Sequence, residues 1–291
     1  LLTFGSCGDA KGELNEPYDI LVEPSGNLVV VERYNHRIQF FDPQGVSLGW
    51  VGDRGTVLEE QLAELQGTPA NLLAPLLFEF PTSIAKDSQG NYFITDSGNH
   101  RVLKFTQDGQ LLSAWGQQGS GPGQFQGPWG LALTDGGDVY ISDWGNDRIQ
   151  RYSADGALIE EFAGLSEGDA IHRPAGLSVD GEGNIYVADW GNERVQVLDP
   201  QGGFVMKMRG EATLSKWAAN FLSVNEEEGA ARARANLDPK IEYFVDVPHE
   251  ESSHIEKFFW SPVSVKLDRA GTLFVTESNR HRIQVYKRSA S

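Results

Sequence analysis

The chain has 291 residues, 40% hydrophobic and 22% charged, enough to bury a substantial core in one large domain or two smaller ones. The 24 Lys+Arg against 41 Asp+Glu give a formal net charge of −17, a field that repels phosphate backbones and anionic lipid and so excludes nucleic acid from the expected partners. Cys7 is the single cysteine, which rules out an internal disulfide framework and any multi-cysteine zinc site, and no apolar run reaches the ~18 residues of a membrane span.

The chain opens in mid-repeat, with Leu1 to Phe4 as a short apolar strand followed by Gly5. Pro17 then starts the first full copy of a pattern that recurs from Pro81, Pro128, Pro174 and Pro262, a period of about 40–50 residues typical of propellers and arrays. Each proline leads into a short apolar run, such as Ile20-Leu21-Val22, and then a Gly-centred turn, such as Asp180-Gly181-Glu182-Gly183-Asn184. A β-branched and aromatic strand follows and ends in an acid: Glu32, Asp96, Asp143, Asp189 or Glu277. Five residues beyond each acid stands an arginine, Arg37, Arg101, Arg148, Arg194 or Arg282, which opens an alternating strand. Four copies add a last strand, for example Leu158 to Phe162. The fifth runs out at Tyr286-Lys287-Arg288, and Leu1 to Phe4 is expected to supply its missing strand.

Two stretches interrupt the period, about 53–80 and 209–260. In the second, Leu214, Trp217, Ala218, Phe221 and Leu222 fall on one helical face, and Asn225 before Glu226-Glu227-Glu228 reads as a helix cap with acids in the first turn. Only Ile241 to Val245 looks like strand there, without the turn and acid–arginine pair of a blade.

The motifs Pro-x-x-apolar, Gly-Asn-apolar-Tyr-Val-x-Asp and Asn-His-Arg-Ile-Gln, plainest at Asn35-His36-Arg37-Ile38-Gln39 and Asn99-His100-Arg101-Val102, together resemble the NHL repeat. The resemblance implies an all-β propeller of four-stranded antiparallel blades around a channel. The expected fold is a single domain over 1–291, five-bladed with a helical insertion and closed by the N-terminal strand. Six blades is the alternative that the resemblance favours.

Strand alternation puts the second-to-third loops and the blade-to-blade connections on one face, so both insertions are expected there, opposite a face of tight turns. The acid–arginine pairs recur in every blade and read as structural, because a site breaks symmetry. His36, His100 and His281 occupy one motif slot in different blades and diverge, so they are not expected to share a metal. What breaks the symmetry is aromatic and cationic. Tyr18, Arg33, Trp129, Trp144, Arg173, Trp190 and Trp260 lie in or beside these loops, with Trp217 on the inserted helix, and together they form the expected ligand-binding site. The axis-lining position is Asp19, Ser83, Gly130, Gly176 and Ser264, a poor metal cage, and no Walker loop, nucleophile elbow, His-Glu-x-x-His or calcium loop is present. The leading reading is a non-enzymatic binding module for a protein, peptide or glycan, without cofactor, metal, catalytic residues or membrane insertion. The alternative is a metal-dependent lyase or hydrolase at the channel mouth, using His172, Asp19 and Arg33.

Overall fold

The computed structural model describes residues 3–54, 77–163, 169–211, 216–237 and 247–287. Blade 1 is β1 (Pro17–Val22), β2 (Leu28–Glu32), β3 (Arg37–Phe41) and β4 (Ser47–Val51), and β5 (Asp53–Arg54) pairs in parallel with β6 (Leu77–Phe78) beyond it. Blade 2 is β7 (Pro81–Lys86), β8 (Tyr92–Asp96), β9 (Arg101–Phe105) and β10 (Leu111–Trp115). Blade 3 is β11 (Pro128–Leu133), β12 (Val139–Asp143), β13 (Arg148–Tyr152) and β14 (Leu158–Phe162). Blade 4 is β15 (Pro174–Val179), β16 (Ile185–Asp189), β17 (Arg194–Leu198) and β18 (Phe204–Met208). Blade 5 has three strands, β19 (Pro262–Leu267), β20 (Leu273–Glu277) and β21 (Arg282–Tyr286). Each blade is an antiparallel sheet in sequence order, and the five make a propeller.

The acid–arginine pairs hold each blade to the connection that enters it. Arg37 Nε donates to Glu32 at 2.6 Å, Arg101 to Asp96 at 2.7 Å, Arg148 to Asp143 at 3.0 Å, Arg194 to Asp189 at 2.6 Å and Arg282 to Glu277 at 2.6 Å. The acids are buried, and each also accepts a backbone N–H two residues before the aligning proline, as Asp143 does from Gln126 at 2.7 Å. The arginines donate on to connection carbonyls such as Gln124 O, at 2.7 Å from Arg148 Nη2. A buried charge persists because it is paired and hydrogen-bonded in this way.

Apolar layers fill the spaces between consecutive blades. Ile38 meets Ile84, Ile94 and Leu103; Val102 meets Leu131 and Ile141; Ile149 meets Leu177 and Val187; Val195 meets Val265 and Val275. A plug residue three positions before each proline, Phe78, Phe125, Ile171 or Phe259, seals each layer and is buried. The glycine facing it is forced: a Cβ on Gly116 (φ +95) would lie 2.5 Å from the Phe125 ring.

The fifth step, from blade 5 round to blade 1, differs. Ile283 is 60% exposed, whereas its equivalents Ile38, Val102, Ile149 and Val195 are at 0%. Ile20 is 53% exposed, whereas Ile84, Leu131, Leu177 and Val265 are at 2% or less. The expected closing strand is not formed among the described residues: Thr3 and Phe4 lie outside any strand, and Leu1 and Leu2 fall outside the description. Phe4 nevertheless packs on Phe41, with ring centroids 5.0 Å apart, and against Gly45. Val51, Trp115 and Phe162 pack against Gly109, Gly156 and Gly202 in the same manner, so Phe4 occupies a fourth-strand position toward blade 1 without a ladder to β21.

The 209–260 insertion is helical, with α1 (Lys216–Val224), α2 (Glu226–Arg234) and α3 (Pro248–His254). Asn225 stands at the cap of α2 but does not cap it with its side chain, which donates instead to Phe221 O at 2.8 Å, and Gly229 N–H is met by Asn225 O. The strand-like run Ile241 to Val245, like residues 55–76 of the first insertion, lies outside the described residues. No helix among the described residues is long and apolar enough to cross a membrane.

Candidate functional site

Each β2–β3-type loop is a tight turn, a single 3-10 turn in blades 2 to 4, ended by a residue in the left-handed region: His36 (φ 51), His100 (φ 54), Asp147 (φ 55), Glu193 (φ 52) and His281 (φ 49). The glycines of Trp144-Gly145-Asn146 and Trp190-Gly191-Asn192 let the incoming connection lie against the turn, for a Cβ on Gly145 would sit 2.5 Å from Gln126 O. The left-handed residue then clamps the next blade. His36 Nδ1 accepts from Phe80 N–H (3.2 Å), His100 Nδ1 from Gly127 N–H (3.0 Å) and Asp147 Oδ1 from Arg173 N–H (2.7 Å). Glu193 accepts from Ser261 N–H in the same way. His281, on the fifth blade, is exposed and makes no such bond among the described residues. At His36 and His100 the shared histidine slot is therefore a structural acceptor, and burial lowers the His100 pKa, as befits a neutral ring.

These turns, with the residues beside the prolines, carry the aromatic groups into one row. Tyr18 meets Trp129 edge-on at 5.3 Å, Trp129 stacks on Trp144 at 5.9 Å, and Trp144 meets Trp190 at 6.2 Å. Arg33 lies over Tyr18 (5.2 Å), Trp129 (5.3 Å), Phe80 (5.5 Å) and Tyr34 (5.6 Å), and Arg173 over Trp144 (4.9 Å) and Trp190 (5.9 Å). The guanidinium faces stack on ring quadrupoles while their edges stay available for donation. Arg33 Nη1 has a 3.5 Å contact to Glu16, and its buried Nε has no acceptor among the described residues. Burial pushes the Tyr18 hydroxyl up to about 12, only partly opposed by Arg33. The four tryptophan and tyrosine rings are half-buried, and Arg173 is exposed.

Six of the eight expected residues thus stand together: Tyr18, Arg33, Trp129, Trp144, Arg173 and Trp190. Trp260 belongs to a second group on blade 5. Its Nε1–H donates to His249 Nε2 at 3.2 Å, which leaves the proton on His249 Nδ1 for Glu193 Oε1 at 2.5 Å, and Arg280 lies over its ring at 5.5 Å. Trp217 falls on α1, but its side chain is outside the described residues. Phe80 and Tyr34 were not singled out from the sequence, although Phe80 precedes Pro81 at the same offset as Arg173 before Pro174. His249 carries no repeat signal, and its pairing with Trp260 and Glu193 emerges only in three dimensions.

Among the described residues no three His, Cys, Asp or Glu side chains gather as a metal site. His172 pairs with Asp147 at 3.1 Å on the exposed surface, while the Asp19 carboxylate is engaged by the Ser83 hydroxyl at 2.7 Å. The donor set proposed for metal chemistry does not converge.

Residues 78–105, 125–152, 172–198 and 259–286 each match the NHL repeat, one match in each of blades 2 to 5, and these repeats are the units of the five-bladed sheet arrangement. The chain is an NHL-repeat β-propeller. Blade 1 lies outside the matched segments yet carries the same Glu32–Arg37 pair and Asn-His-Arg loop. This NHL propeller is 23% identical over 140 residues to Protein brain tumor of Drosophila melanogaster, covering 39% of the chain and 14% of that protein. It is 29% identical over 133 residues to the E3 ubiquitin-protein ligase TRIM32 of Homo sapiens, covering 43% and 19%. The chain thus spans less than a fifth of either relative. Among solved structures, a streptogramin B lyase superposes with a TM-score of 0.53 at 14% identity, over 99% of this chain and 72% of that one. A gluconolactonase from Xanthomonas campestris gives 0.51 at 18%, over 89% and 68%. At such identities the likeness is one of fold alone.

Proposed function

We propose that this NHL propeller is a binding module whose aromatic and arginine row holds a protein, peptide or glycan. The continuous contact chain from Phe80 through Arg33, Tyr18, Trp129 and Trp144 to Arg173 and Trp190 carries the reading. Such rings offer large, rigid contact area at small entropic cost, and stacked arginines add directed donors at their edges. The row also breaks the repeat: the slot after the strand-ending acid is Arg33, Ser97, Trp144, Trp190 and Ser278 in turn, whereas residues kept in every blade serve the scaffold.

The test is a screen of purified protein against immobilised peptide and glycan libraries, with single-stranded RNA alongside. Replacing Trp144 and Trp190 together by Ala is expected to weaken a genuine ligand by about 2 kcal/mol or more. Ligands unaffected by that change, or RNA as the dominant ligand, would overturn the reading.

A further inference from the structure

A cavity of about 610 Å³, within the size range of small-molecule sites, is lined by first-strand residues of all five blades and reaches the step between blade 5 and blade 1 at Ile20 and Lys266. Its apolar walls include Leu14, Ile20, Val30 and Val263. The residues equivalent to Ile20 at the other four steps are exposed by 2% or less, so Ile20 gives the cavity an exposed apolar wall that those slots do not.

Two further symmetry breaks meet here. The axis position is Asp19 in blade 1 but Ser83, Gly130, Gly176 and Ser264 in the others, and two places along β19 stands Lys266, where the other blades carry Leu21, Ala85, Ala132 and Ser178. Lys266 Nζ reaches across the step to Asp19 Oδ2 at 3.3 Å. Both oxygens of the aspartate are already engaged: Oδ1 accepts from Ile20 N–H (2.9 Å), and Oδ2 from the Ser83 hydroxyl (2.7 Å) and Ile84 N–H (3.1 Å). The lysine is less so, since its half-exposed ammonium has three donors and this one long bond. A ligand entering the cavity therefore meets apolar walls and a cation with donors to give.

We propose that the cavity binds a small amphipathic carboxylate, with its hydrocarbon body against Ile20, Val30 and Val263 and its head group on Lys266 Nζ. Tyr18 and Trp129 of the aromatic row also line this cavity, whereas Arg33, Trp144, Arg173 and Trp190 do not. Charge-assisted pairing at a partly desolvated ammonium supplies selectivity, and burial of the chain supplies affinity.

Isothermal titration calorimetry with octanoate, octylamine and octan-1-ol tests the assignment. Octanoate is expected to bind saturably at one site and octylamine at least about tenfold more weakly. Lys266→Met should weaken octanoate by about tenfold or more and leave octan-1-ol unchanged. Val263→Trp should abolish binding of both by filling the cavity. If that variant loses its native circular dichroism, Ile20→Asp is read in its place, with the same expectation. Ile283→Glu, on the exposed blade 5 face outside the cavity, and Trp144→Ala, on the aromatic row, should change nothing. Octylamine binding as well as octanoate, unaltered binding in Val263→Trp or Ile20→Asp, loss of binding in Ile283→Glu or Trp144→Ala, or no saturable octanoate binding would each overturn the proposal. Failure of the aromatic row to bind any partner would leave this result standing, and the reverse also holds.

Discussion

Four blade-to-blade steps of this propeller are alike, and the fifth is not. At each of the four, a buried aliphatic layer, a sealing plug residue and a clamp onto the backbone before the proline act together. At the blade 5 to blade 1 step the same residue slots are filled, by Ile283, Ile20, Leu14 and His281, yet Ile283, Ile20 and His281 are exposed and Leu14 lines a cavity. The lesson is that an apolar residue in a repeat position stabilises only if the facing blade arrives, because the energy comes from area removed from water.

That contrast can be broken most forcefully in the core. Ile149→Ala should cost about 2–5 kcal/mol, since it empties a filled layer, whereas Ile283→Ala at the equivalent slot should stay within about 0.5 kcal/mol. Urea unfolding of the two variants measures the difference, and equal losses would mean that the fifth step is packed in solution.

The axis glycines come next. A Cβ on Gly176 would lie 2.7 Å from Ser264 Cα, so Gly176→Ala should cost about 1–3 kcal/mol through displacement of β19. Thermal unfolding reads this directly, and a neutral outcome would show that blades 4 and 5 can slide apart freely.

The clamps sharpen the comparison further. His100→Ala should cost about 1–2 kcal/mol by orphaning Gly127 N–H, while His281→Ala should cost nothing measurable. His100→Asp, copying Asp147 of the next blade, should restore most of the loss. Because burial lowers the folded pKa of His100 below its ordinary 6.5, the unfolded chain binds the proton more readily. The clamp's contribution is present above that pH and fades as pH falls through 6.5, and His100→Asp should remove this part of the acid sensitivity.

The smallest effect is expected at Glu23, on the tight-turn face. Burial alone would raise its pKa, but hydrogen bonds from Lys86 and Tyr92 outweigh it and hold the carboxyl below its usual 4.5. Its stabilisation, below about 1 kcal/mol, is therefore present above pH 4.5 and lost as pH falls further. The gap in urea midpoint between wild type and Glu23→Gln should narrow on acidification. A constant gap would place the effect in packing instead of charge.

Much of this was legible in the chain. The proline-to-proline period, the Gly-centred turns and the acid–arginine spacing dictate strand order within a blade, since each is local chemistry repeated in phase, while the choice of five blades over six rests on the helical pattern of the second insertion. The helical character of the second insertion was legible from its apolar spacing, though not the turning of the Asn225 side chain toward Phe221, which depends on where the preceding helix ends. The tryptophans were legible as departures from the repeat. Their partners were less so: Phe80, Tyr34, His249 and Arg280 occupy loop positions whose neighbours come from other blades.

By itself the sequence determined a propeller of repeated blades, because hydrophobic alternation and turn chemistry act within a few residues. Tertiary structure alone decided that His36 and His100 are clamps while His281 is exposed, that six of the eight aromatic and cationic residues touch, and that Ile20 and Ile283 are left exposed at one step. Those outcomes depend on how sheets far apart in sequence pack, and similar local patterns give a buried layer at four steps and an exposed one at the fifth.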